Sequence, residues 1–570
     1  MNDRAIKLRF AVGAVFLLAA MSGLGSRLAF LHIWQYDPSI DRSMEKSIIA
    51  GRGNIYDSSE GGNIMALNLA VKDVCADPWK VSASDNLDLV SENLADALKI
   101  DINKIRRRLD RDDRRFAYIK RYVPVSDAEP LQSLPGVFLR DTTVRYYPQG
   151  RFMCHVLGFV NHEAMGCSGV EQAMNSYLKG TPGLVESRVN ALHQEMYWHR
   201  DKWVPALKGA DVRLALDQNI QYIVEQVLEE TVSRHNAKGA WAIVQRVRTG
   251  QILAMASRPA FNLNEFRTST PDSRLNRAIG QVYEPGSTFK AITLAAALDH
   301  GVVKPGDVFD CEGGSWSYAR RLLRDYHAFD ELTVADILKK SSNIGAAKIA
   351  LATGDERLHR CLKMFSIGSE LGIDLPGEER GILHPVSKWT KISPTRIAIG
   401  HGVAVTSLQM LGAVCAIAND GFLMRPYVVN RVERTPGMIL KENKPEIIAR
   451  PISYETALTM KRLLARVTGE GGTGRRARID GYTVAGKTGT AQKAVEGRYS
   501  NEAHVASFVG FVPVETPEIG VIVVVDEPQP LHTGGRVAAP AFKEIASGSL
   551  RYLDASGEFP AYRLVRSKSY

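Results

Sequence analysis

The most regular hydrophobic pattern in the chain comes first. Phe10 to Ser26 carry no charge, and after Arg27 a second apolar patch, Leu28 to Leu31, leads towards Trp34 and Tyr36. About 20 apolar residues cross a bilayer, and an arginine near one end can snorkel to the headgroups. Arg4, Lys7 and Arg9 precede the run, and Asp3 is the only acid before Asp37. The positive-inside rule then predicts a cytoplasmic tail over 1–9, a transmembrane anchor over 10–33 and the remaining chain outside the cytoplasm. A cleaved signal peptide, cut near Ala19-Ala20 or Gly23-Leu24-Gly25, is the competing reading. The apolar run past Arg27 favours an anchor.

Residues 40–205 are polar and mixed, and read as one α/β domain. Short strand-like runs (Tyr122-Val123 before Pro124-Val125, and Val137-Phe138-Leu139) alternate with charge-rich helical stretches such as 86–110. From about 209 the texture changes. Leu214 to Asp217 followed by Ile220 to Glu230 reads as strand then amphipathic helix, and 240–247 and 251–256 flank Arg248-Thr249-Gly250 as a hairpin. Helical periodicity covers 287–300, 332–352, 405–420 and 452–468. Strand-like runs follow at 482–491, 504–514 and 519–526, then a helix over Ala538 to Leu553. Strands at both ends of a segment with helices between predict an α+β domain over 209–555, a mostly antiparallel sheet with a helical subdomain. A short tail, 556–570, closes the chain.

Composition narrows the class. The 570 residues are 45% hydrophobic and 24% charged, an ordinary globular balance that excludes wholesale disorder. At about 150 residues per domain the length allows roughly four domain-equivalents. Six cysteines cannot form a disulfide scaffold, and no CxxC pair points to zinc or thiol redox chemistry. In an oxidising space they read best as buried free thiols, with disulfides possible. The net charge of +10 suits an anionic surface and is too diffuse to indicate nucleic acid.

Candidate chemistry lies in three short motifs. Pro285-Gly286 stops one segment, and Ser287-Thr288-Phe289-Lys290 opens an apolar helix that ends at Asp299-His300. Ser287 and Lys290 stand one turn apart on one face, a workable nucleophile–base pair. The spacing alone is weak, because Ser43…Lys46 and Ser176…Lys179 share it. Ser341-Ser342-Asn343 follows a helical run from Leu332 to Lys340, and its S-x-N pattern recurs at Ser84…Asn86 and, with glutamate between, Ser91…Asn93. Lys487-Thr488-Gly489-Thr490 lies in a strand-like stretch and is the one K-T-G in the chain. Only this set supplies a helix start, a post-helix turn and a strand in order.

Together the three motifs resemble the site of penicillin-recognising serine enzymes. Their surroundings, Tyr283-Glu284-Pro285-Gly286-Ser287, Lys340 to Gly345 and Ala485 to Ala491, look like class B penicillin-binding proteins. So do Arg52-Gly53-Asn54-Ile55-Tyr56-Asp57, Arg145-Tyr146-Tyr147-Pro148 and Gly169-Val170-Glu171 upstream. Ser58 departs from that pattern, where arginine is usual. The resemblance implies a membrane anchor, a pedestal or dimerisation-type domain over 40–205, and a penicillin-binding transpeptidase domain with a five-stranded sheet. It further implies a peptidoglycan D,D-transpeptidase, with Ser287 as nucleophile and Lys290 as its base. Ser341, Asn343 and Lys487 would complete the catalytic set, while Thr488, Gly489 and Thr490 would bind substrate. The backbone N–H groups of Ser287 and Thr490 would form the oxyanion hole. The implied partners are peptidoglycan stem peptides ending in D-Ala-D-Ala, β-lactams, a membrane glycosyltransferase of the shape, elongation, division and sporulation family, and other division proteins. No cofactor is implied. The match from Arg145 through Lys493 looks more like the septal than the elongation type.

Other motifs fail on context. Gly481 to Thr488 is a literal G-x-x-x-x-G-K-T, yet Arg475 to Arg478 precede it where a hydrophobic strand belongs. Gly469 to Gly474 is a literal G-x-G-x-x-G after a helical pattern, better read as a loop near the site mouth. Neither HExxH nor G-x-S-x-G occurs. A β-lactamase or β-lactam sensor shares the three motifs but has no use for the long segment between anchor and catalytic domain. A non-catalytic wall scaffold is opposed by the intact Ser287, Lys290 and Lys487.

Overall fold

The computed structural model describes residues 3–30, 43–59, 61–83, 85–111, 113–189, 195–435, 437–495 and 498–555. Residues 31–33 of the expected anchor, Trp34, Tyr36, Ser84 and the tail 556–570 lie outside the described residues. The chain groups into two compact units, residues 1–50 with 181–207 and residues 51–180 with 208–570.

The first unit begins with the helix Asp3–Ala29. Its stretch Lys7–Ala29 is long and apolar enough to cross a membrane, and none of it is buried. The unit also holds a three-stranded antiparallel sheet. Gly183–Val189 is central, between Ser43–Ile48 and Glu195–Val204.

The second unit is built on an antiparallel sheet of five strands, β1 (Gly239–Arg246), β2 (Ile252–Arg258), β3 (Ala485–Val495), β4 (Arg498–Val512) and β5 (Ile519–Asp526), in the order β2-β1-β5-β4-β3. Every residue of β5 is buried, because the period-2 alternation of a central strand feeds two cores at once. Val521, Val523 and Val525 face helices α1 (Gln218–Arg234) and α7 (Ala538–Ala555), meeting Val224, Leu228, Phe542 and Ile545. Ile522 and Val524 join Trp241 and Ile243 in the other core, shared with the helical subdomain. That subdomain comprises α2 (Lys290–Asp299), α3 (Val334–Lys340), α4 (Asn343–Thr353), α5 (Ser407–Ala418) and α6 (Tyr454–Thr468). From Lys290 to Ala297 every residue of α2 is buried, as expected of a helix apolar on all sides. The antiparallel sheet with a helical subdomain is the α+β architecture the patterning predicts.

One local expectation needs correction. The strand expected from Tyr482 starts at Ala485; Tyr482 makes only an isolated bridge to Ile479. Tyr122 and Val123 lie in the strand Ala117–Pro124 as expected, and Val125 opens a short helix directly after it. The helix that starts at Lys290 ends at Asp299, as its pattern predicts. His300 is the cap residue, and Asp299 Oδ1 accepts from Ser453 N at 2.7 Å, at the head of α6.

A second sheet ties 51–180 to the rest of the unit. Asp211–Leu214 pairs in parallel with Ile55–Tyr56 and antiparallel with Val429–Glu433. Beside it the three upstream motifs meet. Glu171, fully buried, accepts from Arg52 Nε at 2.7 Å and from Arg145 Nε at 2.6 Å. Arg52 also donates to Ala164 O, Glu171 O and Asn175 Oδ1, and Arg145 to Gly53 O. The Tyr147 hydroxyl lies 3.3 Å from Glu171 Oε1. A buried carboxylate is tolerable only when so fully paired. Ser58 is exposed, and its N–H donates to Leu216 O at 2.9 Å. All six cysteines are free, five of them buried and Cys167 exposed.

Candidate active site

The nucleophile turn is shaped by a glycine that no other residue replaces cheaply. Gly286 has φ +56°, and a Cβ there would lie 3.0 Å from Thr490 O. From it a 3₁₀ turn, Gly286–Phe289, runs directly into α2. Ser287 is half-buried in that turn, and among the described residues its hydroxyl forms no hydrogen bond. One turn on, Lys290 is fully buried.

The S-x-N motif is a break between two helices. α3 ends at Lys340, and Ser341 takes the left-handed conformation, φ +64°, with its N–H returning to Ile337 O. A non-glycine residue held there stores strain of about 1–3 kcal/mol. Ser342 then caps α4, accepting from Gly345 N at 2.9 Å, and Asn343 is the first helical residue. The break turns Ser341 and Asn343 onto Lys290. Lys290 Nζ reaches Ser341 O at 2.6 Å, Asn343 Oδ1 at 2.7 Å and Ser341 Oγ at 3.2 Å.

The third motif lies on β3, the edge strand. Lys487 is fully buried, and its Nζ donates to Ser341 Oγ at 3.0 Å and to Thr488 O at 3.2 Å. Gly489 is held to glycine by close packing. A Cβ there would meet Ser507 Oγ and lie 2.9 Å from both Pro285 O and Thr288 Cγ2. Its bareness lets the nucleophile turn seat on the strand. Thr490 Oγ1 accepts from Gly534 N at 3.1 Å, which leaves its own proton free for an incoming acceptor.

Burial sets the charge state of both amines. It pushes Lys290 down to about 7, against the opposing pull of the Asp325 carboxylate. Burial also holds Lys487 well below its ordinary value, and the Lys290 charge adds to that effect. Near neutral pH, Lys290 is therefore divided between ammonium and free amine, as a proton acceptor for a serine requires.

The look-alike motifs stay apart from this cluster. Lys46 lies on Ser43–Ile48 and Lys179 follows a short helix, and both are exposed. Ser91 and Asn93 sit inside the helix Leu87–Leu98. Gly481 follows no hydrophobic strand, and after Thr488 the chain continues as strand, so the P-loop geometry is absent there. The glycine-rich run 469–474 does reach the site, with Thr473 Oγ1 3.0 Å from Thr488 Oγ1. Three neighbours escaped sequence reasoning: Thr473, Gly534 and Asp325. Thr473 stood within a flagged motif; the other two have no sequence signal of their own.

This combination of sheet, helical subdomain and serine–lysine cluster defines the penicillin-recognising serine acyltransferases. Comparison with known families narrows the class. Residues 240–547 match the family "Penicillin binding protein transpeptidase domain", and residues 47–214 match "Penicillin-binding Protein dimerisation domain". The "Peptidoglycan D,D-transpeptidase FtsI" of Escherichia coli is 30% identical over 96% of this chain and 92% of its own length. The "Stage V sporulation protein D" of Bacillus subtilis is 36% identical over 73% of this chain, which covers 65% of that protein. Among solved structures, penicillin binding protein 3 from Mycobacterium tuberculosis complexed with aztreonam superposes with TM-score 0.69 at 25% identity, over 92% of this chain and all of that one. The chain belongs to the class B penicillin-binding proteins, and it is a serine-type transpeptidase.

Proposed function

We propose that this chain is a peptidoglycan D,D-transpeptidase of the septal type, acting through an acyl-enzyme on Ser287. The observation that carries the chemistry is the Ser341 hydroxyl held between two buried amines, 3.2 Å from Lys290 Nζ and 3.0 Å from Lys487 Nζ. Ser287 Oγ attacks the carbonyl of the penultimate D-Ala of a stem peptide, and its proton passes to the free amine of Lys290. The oxyanion is met by the N–H groups of Ser287 and Thr490. The C–N bond then breaks, and a proton returned through Ser341 leaves with D-Ala as its amine. A neighbouring stem's amine attacks the ester, gives up a proton by the same route and frees Ser287, leaving a cross-link. Asn343 holds the substrate amide, while Thr488 and Thr490 take the terminal carboxylate beside Lys487. β-Lactams acylate the same serine and stall there. Penicillin labelling of the full-length protein tests this: Ser287→Ala abolishes the covalent label, and retained label overturns the assignment.

The helix Lys7–Ala29 supports a single-pass protein of the cytoplasmic membrane with its catalytic domain outside. Assignment to the division septum draws on the family resemblance and on the relative named FtsI, which aligns over nearly the whole chain. The sporulation relative, more identical over a shorter span, favours a second reading in spore wall synthesis. The membrane segment and pedestal are the natural contact for a membrane-embedded glycosyltransferase of the shape, elongation, division and sporulation family and for other division proteins. A fluorescent fusion at midcell during growth supports the septal role; side-wall or forespore signal overturns it.

A further inference from the structure

The hairpin of Ser315–Tyr318 and Arg321–Arg324 has no part in the three motifs, yet it ends against them. Immediately after it, Asp325 is anchored by its own N–H to Gly314 O at 3.1 Å. Its carboxylate turns to the head of α4. Asp325 Oδ2 accepts from Ser342 Oγ at 2.6 Å, and Oδ1 accepts from the backbone N–H of both Asn343 and Ile344. The residue before it completes the grip, since Asn343 Nδ2 donates to Arg324 O at 2.8 Å. With its amide nitrogen so engaged, Asn343 must present Oδ1 elsewhere, and Oδ1 is what Lys290 Nζ meets at 2.7 Å.

We propose that Asp325 is a positioning residue of the transpeptidase site, clamping Ser342 and Asn343 so that the Asn343 amide oxygen faces the Lys290 amine. The carboxylate satisfies N–H groups that a helix start otherwise leaves open and adds a negative charge where the helix dipole favours one. Through Asn343 it fixes one of the three contacts that orient Lys290. Its charge also reaches the amine. The charged groups that act on Lys290, or feel its charge, are Asp325 from the hairpin, Lys487 from β3 and His401 from the loop before α5. Of these Asp325 is the one that favours the ammonium form, and it opposes the burial that frees the amine.

The inference rests on the reading of Ser287 as the acylated serine, and a pair of substitutions separates position from charge. Asp325→Asn keeps an acceptor for the two N–H groups and a polar partner for Ser342 but removes the charge. Asp325→Ala removes both. Acylation of the full-length, detergent-solubilised protein by a fluorescent penicillin is followed by stopped flow across pH, with folding checked by thermal melting. In Asp325→Asn the plateau rate stays within about threefold, and the acid limb moves to lower pH by about one unit, because a base with a lower pKa is free at lower pH. In Asp325→Ala the acylation step slows roughly tenfold or more on the plateau, with little change in the penicillin concentration for half-saturation. An acid limb that stays at the wild-type pH in Asp325→Asn, or a wild-type plateau in folded Asp325→Ala, overturns the proposal. Both results leave the Ser287 assignment standing as long as wild type is labelled and Ser287→Ala is not.

Discussion

Lys290 Nζ and Lys487 Nζ converge on one acceptor, the Ser341 hydroxyl, at 3.2 and 3.0 Å. Two ammonium groups so close would repel strongly in a buried site, so the arrangement is stable only with one of them uncharged. That single relationship underlies the pH behaviour and the sensitivity of the site to substitution.

Penicillin acylation is expected to rise with pH through about 7 and then level, as Lys290 loses its proton. The same shift affects stability. Lys290 binds its proton more weakly in the folded chain, about 7, than in the unfolded chain, 10.5. The unfolded state therefore holds more protons between those values, and this residue's contribution to stability falls as pH drops from 10.5 towards 7. Stopped-flow acylation and urea melts at several pH values check both signs. An acylation rate flat across neutrality counts against Lys290 as the base.

Ser341→Ala removes the shared acceptor without adding bulk. General acid–base steps contribute about 10²–10⁴-fold, so the acylation rate constant is expected to fall by that order while the protein stays folded. A loss of less than about tenfold excludes Ser341 from the proton path.

Glu171→Ala acts far from this chemistry. It strands the buried Arg52 and Arg145 beside an apolar methyl. Breaking a buried charge cluster by removing one member costs about 3–5 kcal/mol, seen as a lower urea midpoint. The acylation rate per folded molecule is expected to stay at the wild-type value, and a selective loss of rate would assign this pedestal cluster a part in catalysis.

Gly489→Ala places a methyl against Ser507 Oγ, Pro285 O and Thr288 Cγ2. Overpacking of this kind costs about 1–3 kcal/mol, and two of the three crowded atoms belong to the segment that carries Ser287. Acylation is expected to slow more than a drop in melting temperature explains, measured by the two assays side by side.

Legibility of the fold followed the range of the forces involved. The strands of 504–514 and 519–526 and the helices around them showed in the hydrophobic pattern, because alternation and helical period are local consequences of burial. β3 begins only at Ala485, although the aromatic and β-branched residues from Tyr482 favour a strand, because pairing with β4 starts there. The helix break at Ser341 was equally hidden. Serine has no local preference for φ +64°, and contacts from α2 and β3 hold it there. Asp325 follows a short hairpin and Gly534 lies in the loop before α7, and no spacing rule records their approach to the motifs.

By itself the sequence determined the order and chemistry of the parts: an apolar N-terminal helix, a serine one turn before a lysine, an S-x-N after a helix and a K-T-G on a strand. Tertiary structure decided which S-x-x-K is a site at all. Lys46, Lys179 and Lys290 stand in the same local pattern, but the first two are exposed and keep water around their charge. Only Lys290 is packed on all sides, and desolvation by residues distant in the chain turns an ordinary ammonium into a base near neutral pH. Residue type and spacing are written locally, whereas the dielectric around a side chain belongs to the whole fold.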